Sequence, residues 1–209
     1  MIVTFSSSSH SGKTTFAEHI QKLLGKDNVI IYNEIIRRYD IKSIDDLRRD
    51  PNRYFKIQKE IITEKYDQEI CARKDHQFQL GTKNKIIIFD RSLADSFYYY
   101  TKYVKVNLLS DENKKEFYEF QDKVYRWAAD SFEYVYDRII LFNPIPLPEK
   151  LNDGFREKGL REKQMSEFHM IKLYSYGFCK DWNKIKFIDV KRDNSLMNFM
   201  RLLYETNNS

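Results

Sequence analysis

Cysteine, proline and glycine are scarce in this sequence. Its 209 residues include two cysteines, four prolines and six glycines. Cys71 and Cys179 fall in predicted helices without C-x-x-C or Cys/His spacing, which leaves no disulfide framework and predicts half-buried thiols in a reducing compartment. No repeat, Pro/Ser-rich linker or low-complexity tail interrupts the chain. No apolar run approaches the roughly 18 residues that a membrane-spanning helix needs.

Charges of both signs are mixed along the chain. The 36 basic and 31 acidic residues leave a net charge of +5. This balance suits a phosphorylated small molecule, whereas a nucleic-acid groove would need a stripe of Lys and Arg. The sequence opens directly on an apolar strand, without signal-peptide or lipidation features. We therefore expect a cytoplasmic protein whose partner is neither a membrane nor a nucleic acid.

Short apolar runs alternate with helical segments, which is typical of a parallel α/β sheet. We predict one domain over residues 1–209. The predicted strands are Ile2–Ser6, Val29–Tyr32, Lys85–Phe89, Arg138–Phe142 and Lys186–Val190. Helical periodicity predicts one helix after Pro51, a second over Leu93–Tyr103, and a third whose apolar face carries Phe117, Phe120, Val124 and Ala128. A turn-rich segment with three prolines, approximately residues 143–163, is predicted to be a lid or mobile connection.

The first strand, the following Ser-rich turn and the next helix carry the closing half of a phosphate-binding loop, Gly12-Lys13-Thr14. In such a loop backbone N–H groups surround the β-phosphate, the lysine reaches the β/γ oxygens and the threonine hydroxyl ligates Mg²⁺. The full pattern, G-x-x-x-x-G-K-[ST], has glycine where this chain has Ser7. The context predicts a nucleoside triphosphate site, and the alternative is an ordinary turn with a solvated lysine.

A second candidate site element is the apolar strand that ends in Asp90 and Arg91. A carboxylate at the end of such a strand holds Mg²⁺ near the phosphate loop in nucleotide-binding proteins. The guanidinium beside it offers a planar donor fork for a phosphate or for the acceptor. The alternative is an aspartate that serves only as a turn former.

A third element follows the second predicted strand, where Glu34 is succeeded by Arg37 and Arg38. The carboxyl ends of parallel strands line the ligand crevice, so Glu34 would face the space in front of the phosphate loop. Its carboxylate could accept a hydroxyl proton, while an arginine one turn later could hold an anionic group. The alternative is a helix N-terminus with a favourable Glu followed by solvated arginines.

A fourth element lies in the glycine-hinged segment from Asn152 to Arg161, which contains Arg156. Arginines on a hinged segment could close over a triphosphate and neutralise the charge of the moving phosphoryl group. The alternative for Arg156 and Arg161 is that both are solvated loop charges.

Together these segments resemble the P-loop nucleoside and nucleotide kinases, and most closely the ribosylnicotinamide-kinase-like group, often labelled a small AAA-type ATP-binding domain. The first loop of that group has the pattern S-G-x-H-S-x-G-K-[ST]-T, to which Ser7–Thr15 is similar, including the unusual His10. The group's strand-end Glu with a later Arg is matched by Glu34 and Arg37. Thymidylate and deoxynucleoside kinases share the Asp/Glu-Arg pair at the same place, so the resemblance does not fix the acceptor. The resemblance implies a three-layer P-loop fold with five parallel strands in the order 2-3-1-4-5 and a helical lid.

Two further motifs of this group are matched later in the chain. Its D-R-x-x-x-D-x-x-x-Y segment is similar to Asp90, Arg91, Asp95 and Tyr99, and its D-G-x-R segment to Asp153, Gly154 and Arg156. We expect ATP at Ser9, His10, Ser11, Gly12, Lys13, Thr14, Thr15 and Arg161. We expect the acceptor at Glu34, Arg37, Arg91, Asp95, Tyr99 and Asp153. Catalysis is expected of Lys13, Glu34, Asp90, Arg91 and Arg156, and Mg²⁺ binding of Thr14 and Asp90.

The sequence therefore predicts an ATP- and Mg²⁺-dependent kinase that phosphorylates a nucleoside monophosphate. The guanidiniums of Arg37 and Arg91 outnumber the single acid, Glu34, and would hold an incoming phosphate. A nucleoside acceptor is the alternative, with Glu34 taking the proton of the 5′-hydroxyl. A polynucleotide 5′-kinase that stacks bases on the tyrosines of segment 98–103, and a regulatory P-loop ATPase, are further alternatives. The enzyme would work alone or as a homodimer.

Overall fold

Five parallel strands form one sheet in the computed structural model, which describes residues 1–8, 11–39, 47–78, 85–145, 161–190 and 195–204. The strands are β1 Ile2–Ser6, β2 Val29–Tyr32, β3 Ile86–Asp90, β4 Arg138–Phe142 and β5 Ile185–Ile188. Their order is β2-β3-β1-β4-β5, and all four neighbouring pairs are parallel. The predicted order 2-3-1-4-5 is confirmed, and the bounds of β3 and β5 differ from the predicted ones by one or two residues.

Helices cover both faces of this sheet. They are α1 Lys13–Leu24, α2 Pro51–Gln77, α3 Leu93–Tyr103, α4 Asp111–Asp130, α5 Arg161–Phe178 and α6 Ser195–Tyr204. A π-helical turn, Ser131–Val135, continues α4, and short 3₁₀ turns lie at Ile35–Arg38, Val106–Leu108 and Trp182–Lys184. The predicted helices after Pro51 and over Leu93–Tyr103 are confirmed. No helix in the part of the chain that the structure describes is long and apolar enough to cross a membrane.

Alternation along the strands sends side chains into two separate cores. Ile2 and Phe89 belong to the core under α2, α3, α4 and α5, whereas Val3 and Phe5 belong to the core under α1 and α6. Successive strand residues point to opposite faces, so one sheet serves both cores. The result is the predicted three-layer sandwich. The expected apolar face of α4 is buried at Phe117, Phe120, Val124 and Ala128.

The two cysteines differ from the expectation. Cys71 is exposed on α2, and Cys179 is buried and lies one residue after the end of α5. Burial raises the pKa of the Cys179 thiol. Neither position is the half-buried helix site that the sequence suggested. Of the predicted lid over residues 143–163, the stretch 146–160 lies outside the described residues.

The helix N-termini beside the sheet are capped differently. Ser92 caps α3 in a reciprocal capping box with Asp95, and Asp50 caps α2 ahead of Pro51. At α1 the N-cap is Gly12, and no side chain among the described residues caps this helix. Because an uncapped N-terminus presents backbone N–H groups and the positive end of the helix dipole, α1 offers an anion site at the carboxyl edge of the sheet.

Candidate active site

The loop between β1 and α1 begins at the carboxyl edge of the central strand. Ser7, Ser8 and Ser11 are buried in it. Gly12 has a φ of +80°, and a Cβ at this position would lie 3.4 Å from the Ile145 side chain. The left-handed backbone therefore explains glycine at position 12. Ser9 and His10, both expected to bind ATP, lie outside the described residues.

Lys13 is buried and its ammonium group points back into the loop. Nζ donates to the Ser8 carbonyl at 2.9 Å, to Ser11 Oγ at 3.0 Å and to the Ser7 carbonyl at 3.4 Å. All three acceptors are neutral. Burial lowers the pKa of Lys13 to about 8, and repulsion from Arg91 adds to the lowering. The loop thus holds a cation that a negatively charged ligand would stabilise.

Thr14 and Asp90 meet in front of the loop. Thr14 Oγ1 donates to Asp90 Oδ2 at 2.5 Å. The parallel register sets Phe5 of β1 beside Asp90, which brings the end of β3 to the start of α1. A hydroxyl and a carboxylate are the oxygen ligands that Mg²⁺ prefers. Thr15, the next residue, is exposed.

No group of three or more His, Cys, Asp or Glu in the described ranges could hold a metal ion. Mg²⁺ in phosphate-binding sites is held by one or two protein oxygens together with substrate phosphates and water. The Thr14 and Asp90 oxygens fit such a role, because they supply two hard ligands beside the phosphate loop.

Arg91 has an unusual backbone directly after β3. Among the described non-glycine residues it alone has a positive φ, +86°. Its backbone N–H donates to the Phe5 carbonyl at 2.8 Å, and its side chain Nε donates to Glu34 Oε1 at 2.5 Å. A left-handed backbone at a non-glycine residue costs on the order of 1 to 3 kcal/mol, and it persists only where surrounding contacts hold it. The Glu34 pair is one such contact.

Glu34 lies two residues after β2, at the same edge of the sheet. Its Oε2 is 3.7 Å from Arg37 Nε. Arg37 is half exposed, whereas Arg38 turns away and pairs with Glu64 of α2 at 2.5 Å. The structure therefore brings Glu34, Arg37 and Arg91 together, as the sequence predicted.

Asp95 lies in the first turn of α3 and is fully buried against the phosphate loop. Its carboxylate accepts hydrogen bonds from the Ser92 backbone at 2.9 Å, the Ser92 hydroxyl at 2.7 Å and the Ser7 backbone at 3.2 Å. The Ser6 hydroxyl also donates to it. These oxygens are occupied inside the protein, so the contact with an acceptor that we expected of Asp95 stays a prediction. The Ser92-x-x-Asp95 spacing is a capping-box signal that sequence reasoning missed.

Tyr99 connects Arg91 to a buried carboxylate on α5. The Arg91 guanidinium carbon lies 4.9 Å from the centre of the Tyr99 ring, and the Tyr99 hydroxyl donates to Glu167 at 3.5 Å. Glu167 also accepts from Tyr103 at 2.7 Å and Lys102 at 3.2 Å. The sequence did not single out Glu167, because its partners lie more than 60 positions earlier. Burial and Glu167 together raise the pKa of Tyr103.

The remaining predicted site residues belong to the segment after β4. Asp153 and Arg156 lie outside the described residues, and Arg161 is the first residue of α5. Their expected roles at the phosphates and at the acceptor stay predictions.

The sheet order, the glycine-lysine-threonine loop before α1 and the carboxylate at the end of β3 are together typical of the P-loop kinase fold. Residues 9–173 match the family model described as deoxynucleoside kinase. The chain belongs to the deoxynucleoside kinase family.

Solved structures share this fold. The chain is similar to a NadR protein in complex with NAD and AMP-PNP, with a TM-score of 0.63 and 18% identity over 98% of this chain and 48% of that one. It is also similar to deoxyadenosine kinase from M. mycoides, with a TM-score of 0.56 and 16% identity over 98% of this chain and 100% of that one. The chain spans about half the length of the NadR proteins that it matches. No curated protein matches it significantly.

Proposed function

We propose that the chain transfers the γ-phosphoryl group of ATP to the 5′-hydroxyl of a nucleoside. The observation that carries this proposal is the Glu34 carboxylate, fixed by Arg91 Nε at 2.5 Å beside the phosphate loop. The same guanidinium reaches the Ser7 carbonyl of the loop through Nη1 at 3.4 Å. A neutral hydroxyl must lose a proton as it attacks, so a carboxylate held this close to the donor site is suited to accept that proton.

The charges at the acceptor side favour a nucleoside over a monophosphate. The sequence argument for a monophosphate counted the guanidinium of Arg91 as available. In the structure that guanidinium is already balanced by Glu34 and lies 3.7 Å from Asp95. An incoming phosphate would meet the Glu34 carboxylate, which repels it. The match to the deoxynucleoside kinase family supports the same acceptor class.

The donor side supports ATP with Mg²⁺. The Lys13 ammonium group is positioned to turn from the loop carbonyls toward the β/γ oxygens, where it would neutralise charge as the phosphoryl group moves. Thr14 and Asp90 would hold Mg²⁺, which supplies further neutralisation when bound. The similar NadR structure contains AMP-PNP, and a similar deoxyadenosine kinase structure contains dATP.

The other predicted site residues have supporting roles in this proposal. Tyr99 would face the acceptor from the Arg91 side, and Asp153 would contact it from the lid. Arg156 and Arg161 would approach the triphosphate when segment 143–163 closes as a lid. Ser9, His10, Ser11 and Thr15 would complete the donor loop.

A monophosphate acceptor is the second candidate, and the observation in its favour is Arg37. This guanidinium is half exposed and lies 3.7 Å from Glu34, which is a loose contact that a phosphate could replace.

The tyrosines that a polynucleotide kinase would need for base stacking are buried. Tyr100 is fully buried against Phe117, and Tyr98 is buried as well. These two rings are therefore not open stacking platforms for a polynucleotide.

A panel of nucleosides and nucleoside monophosphates, assayed for ADP release, tests the proposal. Glu34→Gln should lower turnover of nucleosides by roughly a hundredfold or more, since a positioned general base contributes that much. Glu64→Gln is the matched control, because Glu64 pairs with Arg38 away from the loop, and it should be silent. The proposal is wrong if the wild type accepts only monophosphates, Arg37→Ala destroys that activity and Glu34→Gln spares it. The acceptor would then be a nucleoside monophosphate.

A further inference from the structure

Ser7 occupies the position at which the phosphate-loop pattern has glycine. Glycine is usually needed where φ is positive. Among the described residues the positive φ values belong to Gly12, Gly25 and Arg91, so Ser7 has an ordinary backbone. The chain therefore turns here without the conformational freedom of glycine, and the serine side chain is free to serve another purpose.

Each polar group of Ser7 makes a contact with a different part of the site. Its backbone N–H donates to Asp95 Oδ1 at 3.2 Å, and its hydroxyl donates to the Phe142 carbonyl at 2.6 Å. Its carbonyl accepts from Lys13 Nζ and from Arg91 Nη1, each at 3.4 Å. One fully buried residue thus joins β4, α3, the donor-side cation and the acceptor-side cation.

The hydroxyl bond extends the pairing of β1 with β4 by one residue beyond the end of β1. In the parallel ladder Ser6 of β1 lies beside Leu141 of β4, so Ser7 comes next to Phe142. The Ser7 hydroxyl then takes the place of a further ladder bond. A glycine at this position would leave the Phe142 carbonyl without this donor. Of the two bonds that Ser7 donates, only the one from its backbone N–H to Asp95 would then remain.

The orientation of that peptide matters because two like charges share its carbonyl oxygen. Lys13 and Arg91 repel each other, and both are held in part by the Ser7 oxygen. At 3.4 Å both bonds are long and are readily exchanged for bonds to phosphate oxygens. The oxygen therefore sets where the two cations stand before the substrates arrive.

We propose that Ser7 is a positioning residue for phosphoryl transfer: its hydroxyl bond to Phe142 fixes the carbonyl that sets Lys13 and Arg91 in place. This assignment rests on the proposed function. The backbone N–H groups of the loop can hold the donor phosphates in the ground state without the Ser7 hydroxyl. Misplaced cations, in contrast, weaken stabilisation of the charge that develops during transfer.

The test compares three variants in steady-state kinetics and donor binding. Ser7→Ala and Ser7→Gly both remove the hydroxyl, and Ser7→Gly restores the residue of the loop pattern. Ser175→Ala is the matched control, since Ser175 is also fully buried and its hydroxyl also donates to a backbone carbonyl, that of Ile171 at 2.9 Å. The Ser175 bond lies within α5, away from the loop.

We expect both Ser7 variants to lower kcat about tenfold or more, with the dissociation constant for ATP changed less than threefold. Ser175→Ala should keep kcat and show a melting shift similar to that of Ser7→Ala. A Ser7→Gly enzyme with wild-type kcat would overturn the assignment, and so would equal losses of kcat in Ser7→Ala and Ser175→Ala. If Ser7→Ala does not fold, Ser7→Gly decides. A wild type that phosphorylates no nucleoside would instead refute the proposed function.

Discussion

Lys13 is expected to take up a proton when the donor binds. Its lowered pKa of about 8 in the ligand-free protein, against an ordinary 10.5, corresponds to about 3 kcal/mol against the charged form. At pH 9 about one molecule in ten therefore carries the charge. A triphosphate beside the amine favours the ammonium form and raises its pKa again. Binding then moves a proton from solvent to Lys13.

The sign of the pH dependence follows from this uptake. Donor affinity should be greatest below pH 8, where Lys13 is already charged. Above pH 8 it should fall about tenfold per pH unit, until the pH reaches the pKa of the bound state. At pH 9 each binding event should take up about 0.9 proton. Because the triphosphate no longer titrates at this pH, the proton is assigned to the protein.

Titration calorimetry with a non-hydrolysable ATP analogue measures this uptake when it is repeated at pH 9 in two buffers of different ionisation enthalpy. Lys13→Arg should bind without proton uptake, because a guanidinium stays charged at this pH. Lys22→Arg, at an exposed position of the same helix, should behave as the wild type. A dissociation constant that stays flat from pH 7 to 9.5, with no proton uptake, would refute the reasoning.

Two further predictions concern the backbone and a buried ion pair. Gly12→Ala should weaken donor binding and lower the melting temperature because its φ is +80°, whereas Gly177→Ala, at an open helical site, should stabilise the protein by up to about 1 kcal/mol. Thermal melts and donor-binding titrations check this prediction, and equal effects of the two glycine substitutions would contradict it. Glu69→Ala leaves the ammonium group of Lys65 buried after the loss of its 3.0 Å partner and should cost about 3 to 5 kcal/mol in urea unfolding. Glu119→Ala, in an exposed pair, should cost under about 1 kcal/mol, so equal losses would contradict the argument.

The fold could be predicted from sequence because apolar runs mark the strands of a parallel sheet. Strand bounds were less certain where hydrogen bonding, not hydrophobicity, decides them. The predicted bounds Lys85–Phe89 stop one residue short of Asp90, which pairs with Phe5 and closes β3. The strand order itself came from the resemblance to P-loop kinases, because apolar runs alone do not specify which strands are neighbours.

The centre of the candidate site could also be predicted, since parallel strands bring their carboxyl ends to one edge. This rule predicts that Lys13, Glu34 and Arg91 lie close together at that edge. It could not reveal that Ser7 bonds to Phe142 or that Glu167 receives three donors. Such contacts join residues more than 60 positions apart, and no local pattern records them.

The central place of β1 in the sheet has a consequence for how the chain is made. Within this sheet β1 is synthesised before the other strands, and its two neighbours, β3 and β4, end only at Asp90 and Phe142. At ordinary synthesis rates the ribosome needs about 10 to 30 s to travel from β1 to the end of β4. During that interval at least one edge of this apolar strand has no partner. The segment on which the donor site depends therefore keeps an open strand edge, which favours aggregation, during much of synthesis.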